Sequence, residues 1–250
     1  AMGLMGRGGR VNVGALTQGP GWELLGGKFA VAAKMLDVLW RETNDKIVIV
    51  SNYTQTLDLF VRLCKERKYP FVKLDGSTSI SKRQKMVLTF NQSDGLSSPP
   101  LSSTSSLSAS SASAPHPATH RSQFLFLLSS KAGGCGLNLI GANRLILFDP
   151  DWNPANDKQA AARVWRDGQR KRVFVYRFLT AGSIEEKVYQ RQLSKEGLQQ
   201  LVGQQGKAQA NVMSAEELRE LFTLDITTRS ATYDGLCAGG GGMEGGEGSV

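Results

Sequence analysis

The run QAAARVWRDGQ, residues 159–169, places Gln159, Arg163 and Arg166 at i, i+4 and i+7. On a helix those three side chains share one face and can converge on a single anion. Arginine suits that task, because its planar guanidinium stays charged and pairs with phosphate oxygens through two parallel hydrogen bonds. Taken alone, the same spacing also describes a solvated cationic helix face. A second run, SSKAGGCGLN at 129–138, offers complementary chemistry. Gly133, Gly134 and Gly136 remove side-chain bulk and permit positive φ, which lets a backbone approach a ligand closely. Ser129 and Ser130 add hydroxyl donors, and Lys131 adds charge. Glycine-rich loops between strand and helix cradle phosphate through backbone N–H groups, and they also serve simply as tight turns.

Other constellations carry less. His116 and His120 have the i, i+4 spacing of a helical metal pair, but Pro115 and Pro117 argue against a helix there. GWELLGGKF at 21–29 imitates a phosphate loop with one residue too many, Phe29 where a hydroxyl belongs, and no strand before it. Cys64, Cys135 and Cys237 are odd in number and form no CxxC pair, so neither a disulfide framework nor a zinc site is indicated and a reducing compartment is expected. The net charge of +8 favours a polyanionic partner, nucleic acid or an anionic membrane surface. No apolar stretch is long enough to span a bilayer and no signal peptide opens the chain, so a soluble protein is expected.

The elements that must position these runs alternate. KFAVAAKMLDVLW (28–40) has helical apolar spacing, and KIVIVSN (46–52) is a continuous β-branched run typical of a strand buried on both faces. A helix is predicted from Thr54 as N-cap, with Leu57, Phe60, Val61 and Cys64 on one face. PFVKLDG (70–76) reads as a strand, and 80–91 as a helix with Val87, Leu88 and Phe90 available for packing. QFLFLLSS (123–130), RLILFD (144–149) and RVFVYRFLT (172–180) complete five strands. Asn153 before Pro154 starts a helix that leads into the arginine run. Ser183 with Glu186, and Ser214 with Glu217, have capping-box spacing; the second pair opens a short helix with Leu218, Leu221 and Phe222 as its apolar face. Strict alternation predicts an α/β fold, a parallel sheet with helices on both faces, whose ligands collect beyond the carboxyl ends of the strands.

The linked order of these motifs resembles the second lobe of SWI/SNF-type superfamily-two helicases. KIVIVSNYTQTLDLF is similar to motif IV, LDGSTSISKRQKMVLTFN to the block after it, LLSSKAGGCGLNLIGANRLILFDPDWNP to motifs V and Va, and QAAARVWRDGQ to motif VI. The wording most resembles recombination-repair translocases of the RAD fifty-four type, over roughly residues 28–225. The resemblance implies one RecA-like lobe at 28–200, interrupted by a disordered serine-rich insertion at 96–122. A disordered glycine-rich leader (1–27), a helical extension (201–237) and a disordered glycine-rich tail (238–250) surround it. It also implies ATP and Mg²⁺ as cofactors, double-stranded DNA and the eukaryotic strand-exchange recombinase as partners, and a nuclear location. Arg163 and Arg166 are then arginine fingers for the ATP phosphates, with Gln159 holding them in register. Gly133, Gly134 and Gly136 couple nucleotide state to the DNA track. Ser130, Lys131, Ser51 and Asn52 are candidate DNA contacts. Trp152 either touches the track or packs at a domain edge. Lys82, Arg83 and Lys85 either extend a basic surface or form an ordinary solvated face.

The departures matter equally. The chain contains no GxxxxGK[ST] run and no Asp-Glu pair, the residues that anchor nucleotide and magnesium in this family. The expectation is a fragment that supplies arginine fingers and DNA contacts, needs a first RecA-like lobe, and is inactive alone. A competing expectation is a non-enzymatic module that docks on DNA or on a recombinase. A nucleotide-binding oxidoreductase is disfavoured, because no GxGxxG opens the first βα unit.

Overall fold

The computed structural model describes residues 21–92, 122–134, 136–202 and 214–239. Most of the proposed leader, insertion and tail, His116, His120, Cys135 and 203–213 lie outside the described residues. Five strands, β1 (Ile47–Ser51), β2 (Phe71–Leu74), β3 (Leu125–Ser129), β4 (Arg144–Leu147) and β5 (Phe174–Arg177), form one sheet in the order β2-β3-β1-β4-β5. Every pairing is parallel, and Ile47 of β1 stands opposite both Leu125 and Arg144. The α/β architecture read from the sequence is therefore the one observed.

Alternate residues of the central strands feed two cores. Ile47, Ile49, Leu125, Leu127 and Ile146 pack with Phe29, Leu36, Leu57 and Phe60 of helices α1 (Gly27–Glu42) and α2 (Thr54–Glu66). Val48, Val50, Phe126, Leu128, Leu145 and Leu147 face the other way, against Phe90 of α3 (Ile80–Asn91) and Ala160 of α4 (Pro154–Ala161). Burial on both faces is why β1 and β3 read as unbroken apolar runs. The long α5 (Ile184–Val202) follows β5, and α6 (Ala215–Phe222) and α7 (Ala231–Gly239) form the C-terminal extension.

Several expectations are corrected by packing. The leader does not run to residue 27: Trp22–Leu25 forms a single 3-10 turn, and Trp22 is only 5% exposed, tilted against Phe29 and bonded to Glu66. Lys28, the lysine of the false phosphate loop, instead donates to the Phe148 carbonyl at 2.7 Å and to Glu185 at 2.6 Å. Thr54 is the first helical residue rather than the cap; Tyr53 occupies the N-cap, and its N–H goes to Ser51 Oγ. On α3, Phe90 is buried and Leu88 faces outward. Cys64 is buried, and that burial pushes its thiol up to about 12.

Candidate functional site

Beyond the carboxyl ends of β1, β3 and β4 lies a cleft of about 530 Å³. The crossover after β1 runs to one side of the sheet and the connection after β3 to the other, so the loops diverge and leave a crevice, as at other topological switch points. Asn52, Ser130, Lys131, Trp152, Gln159 and Arg163 all line it. Six of the residues singled out in the sequence, drawn from four separate segments, are thus brought to one cavity. Trp152 is half exposed at its rim. Gly133 and Gly134 belong to a 3-10 turn, Ser130–Gly134, and Gly136 adopts a positive φ of 46°.

Ser51 departs from its expected role. It is fully buried, donates to the Asp149 carboxylate and accepts the Tyr53 N–H at 3.1 Å. Its hydroxyl ties the β1 loop to the β4 loop and is not presented to a ligand. Lys28 supports the same loop from α1, 3.7 Å from Asp149. Asn153 caps α4 as read from the sequence, accepting the Ala155 N–H at 3.1 Å. Arg83 links the 75–78 turn to the glycine-rich loop, with Nε 2.8 Å from the Thr78 carbonyl and a second nitrogen 3.4 Å from that of Ala132. Lys82 and Lys85 are exposed on α3.

The arginine run is not one helical face. α4 ends at Ala161, and the chain tightens into turns: Arg163 N bonds to Ala160 O at 3.2 Å and Val164 N to Ala161 O at 3.1 Å. Val164 is fully buried, which fixes how the segment sits on the sheet and turns its neighbours outward. As a result Gln159 and Arg163 line the switch-point cleft, whereas Arg166 lines a second cleft of about 400 Å³ with Trp165, Gln169, Lys171 and Arg172. The two arginines do not meet at one point within this lobe.

Gln169, which sequence reasoning passed over, holds this segment in place. Its amide nitrogen lies 2.7 Å from the Ala142 carbonyl, 3.2 Å from that of Val164 and 3.3 Å from that of Ile140, while its oxygen accepts the Lys171 N–H at 2.9 Å. A main-chain bond from Leu139 N to Arg163 O, 2.9 Å, adds a second tie. The glycine-rich loop and the arginine segment are thereby joined through residues 139–142. A signal was available: Gly168 follows the periodic run, and a glycine there marks a helix end. Gln169→Met keeps the bulk and removes the donor, leaving carbonyls without a partner. It is expected to cost about 1–3 kcal/mol in urea unfolding of the chain; an unchanged midpoint and slope would contradict this account.

The extension is clamped to the start of α5. Glu186 is buried and accepts from Gly182 N at 2.7 Å, Thr232 N at 2.9 Å and Ser230 Oγ at 2.9 Å. Burial alone would raise its pKa, but these donors outweigh it and hold the carboxyl at about 2. The reciprocal capping box expected of Ser183 and Glu186 is therefore absent. Ser183 Oγ accepts from Glu185 N, and Glu186 reaches past it to Gly182. The box of Ser214 and Glu217 is present, with bonds of 3.2 and 2.8 Å. Of its predicted apolar face, Leu221 is buried and Phe222 exposed. Among the described residues no helix is long and apolar enough to cross a membrane, and no three His, Cys, Asp or Glu side chains gather as metal ligands.

Comparison with known proteins gives this geometry a family. The chain is 56% identical to "DNA repair and recombination protein RAD54" of Oryza sativa subsp. japonica, over 89% of its own length and 20% of that protein. It is 56% identical to "Protein CHROMATIN REMODELING 25" of Arabidopsis thaliana over 88% of its length and 22% of that protein, and 50% identical to the RAD54-like protein of Homo sapiens over 85% and 25%. The chain thus spans about a fifth to a quarter of the length of these curated relatives. A solved structure, the C-terminal part of the Fun30 ATPase domain, superposes with a TM-score of 0.55 at 32% identity, covering 69% of this chain and 47% of that one. The model of the helicase conserved C-terminal domain matches residues 27–110 and 116–168, which includes β1 to β4 and nearly the whole arginine run, and the chain belongs to that family.

Proposed function

We propose that this chain is the second ATPase lobe of a nuclear, ATP-dependent translocase on double-stranded DNA that acts in recombination repair. The observation that carries the reading is the switch-point cleft, where Ser130 and Lys131 of the glycine-rich loop, Gln159 of α4 and Arg163 of the turn after it converge. Gln159 and Arg163 suit the phosphate oxygens of ATP and Ser130 and Lys131 those of DNA, while Mg²⁺ and the nucleotide are anchored mainly by a first RecA-like lobe. ATP, when bound between the lobes, supplies the phosphoryl transfer that drives movement. Arg163 then places positive charge against the departing phosphoryl group, and Gln159 keeps it oriented across the cleft. Arg166, in the neighbouring cleft, joins it only when a second body closes over both. Ser130, Lys131 and the backbone of Gly133, Gly134 and Gly136 follow the DNA phosphates, with Asn52 and Trp152 at the margin. Through Gln169 and Leu139 the loop and the arginine segment move as one unit, which links nucleotide state to the track. The strand-exchange recombinase is the proposed protein partner.

A docking module without enzymatic activity is the second reading. The exposed apolar side chains of the extension, Phe222, Leu224 and Ile226, favour it. Turnover separates the two. The chain alone is expected to hydrolyse no ATP with duplex DNA present, and to do so once fused to a first RecA-like lobe of the SWI/SNF type. Robust turnover by the chain alone would overturn the division of labour, and a silent but folded fusion would favour the docking module.

A further inference from the structure

Trp165 is the most exposed of the four tryptophans, at 73%. The reason is local: buried Val164 anchors the turn after α4 and pushes the next two side chains into solvent. The cleft they line shares no residue with the switch-point cleft. Ala161, Val173 and Val175 give it an apolar lining, and Arg166, Lys171 and Arg172 a cationic one. Residues 163–172 hold five cations against one carboxylate, Asp167. Two of the cations are already oriented: Lys171 Nζ is 3.6 Å from Asp45, and the Arg172 guanidinium lies 5.4 Å from the centre of the Phe174 ring.

An indole face beside guanidinium groups is the arrangement that binds a planar base together with its phosphate. We propose that this cleft holds one nucleotide unit, the base stacked on Trp165 and the phosphate paired with Arg166 and Arg172. This deepens the function proposed above, because Arg166 is common to both. The same chemistry is offered by a nucleoside triphosphate and by an unpaired nucleotide of a DNA strand. The interior of a closed duplex does not offer it, because each base face is covered by its neighbours.

The test uses the full chain carrying Trp152→Phe, so that emission from an exposed indole reports Trp165. Four probes are titrated at low ionic strength: ATP, a short oligothymidylate, a relaxed, covalently closed circular duplex without loops or ends, and inorganic tripolyphosphate. Quenching by ATP, or by oligothymidylate, is expected and identifies the source; the closed duplex and tripolyphosphate leave the emission unchanged. Binding of the active probe, followed by calorimetry, should weaken roughly 5- to 150-fold in Trp165→Leu and largely recover in Trp165→Phe. Arg172→Gln should weaken it while leaving the quench at saturation intact. The proposal is overturned if neither base-bearing probe quenches, if tripolyphosphate or the closed duplex quenches equally, or if Trp165→Leu binds as tightly as its parent. Each readout is binding by the isolated chain, so it can fail while turnover of the two-lobe protein still depends on Arg163, and the converse holds.

Discussion

Arg163→Ala, in this lobe fused to a first RecA-like lobe, is expected to lower DNA-stimulated ATP turnover roughly 10³- to 10⁵-fold, the range for arginines that neutralise a departing phosphoryl group. The loss should fall on kcat. The main chain at Arg163 is held by the Leu139 N–H at 2.9 Å and by buried Val164, neither of which needs the guanidinium, so alanine leaves the segment in position. Arg163→Lys keeps a charge without the planar fork and should recover only part of the rate. Stopped ATPase assays with and without duplex DNA read the effect, and thermal unfolding confirms the fold. Full turnover by a folded Arg163→Ala protein would remove this residue from the phosphate site.

Gly182→Val is expected to release the C-terminal extension from the lobe. A Cβ at Gly182 would stand 1.8 Å from the Asp225 carbonyl oxygen, and the residue has a φ of 64°, in the left-handed region. Valine there breaks the 2.9 Å bond from Asp225 N to Gly182 O and removes the Gly182 N–H from Glu186. Left-handed strain of 1–3 kcal/mol and the lost hydrogen bonds together amount to on the order of 3 kcal/mol. Amide exchange should accelerate across 214–235 while β1, β3 and β4 keep their protection. The same junction responds to acid. Glu186 has a folded pKa of about 2, below the ordinary glutamate value of 4.5, so its contribution is present above that ordinary value and fades as pH falls towards 2. The extension should loosen across that window in the parent chain, and Glu186→Gln should flatten the response. Equal protection of 214–235 in the parent and Gly182→Val chains would show that the clamp lies elsewhere.

The strands and helices were legible because each carries its own signal. β1 and β3 are unbroken apolar runs, since both faces are buried, and Asn153 with Pro154 announces α4 by local chemistry. The residues of the switch-point cleft were legible for a related reason. They follow strands whose carboxyl ends must lie together in a parallel sheet, so Asn52, Ser130, Lys131 and Trp152 converge whatever the details of their loops. What misled was spacing used beyond the point where the element stops. Gln159, Arg163 and Arg166 share a face only while the helix continues, and α4 ends two residues before Arg163. Ser51 failed differently: its position at the carboxyl end of β1 was read correctly, but not that Asp149, 98 residues away, takes its hydroxyl.

The sequence by itself determined the alternating α/β architecture, the five strands and the loops at which chemistry collects, because periodicity and capping act over a few residues. It also presented the arginine run and the glycine-rich loop as one linked pattern. Only the tertiary structure decided which way each arginine faces. Burial of Val164 and the three carbonyls facing Gln169 override the local helical preference, since a buried side chain and its hydrogen bonds outweigh the small propensity of a few residues. It likewise decided that Glu186 and Gly182 serve the C-terminal extension rather than the cap of α5, because their partners at 225 and 230–232 become neighbours only when the chain has folded back.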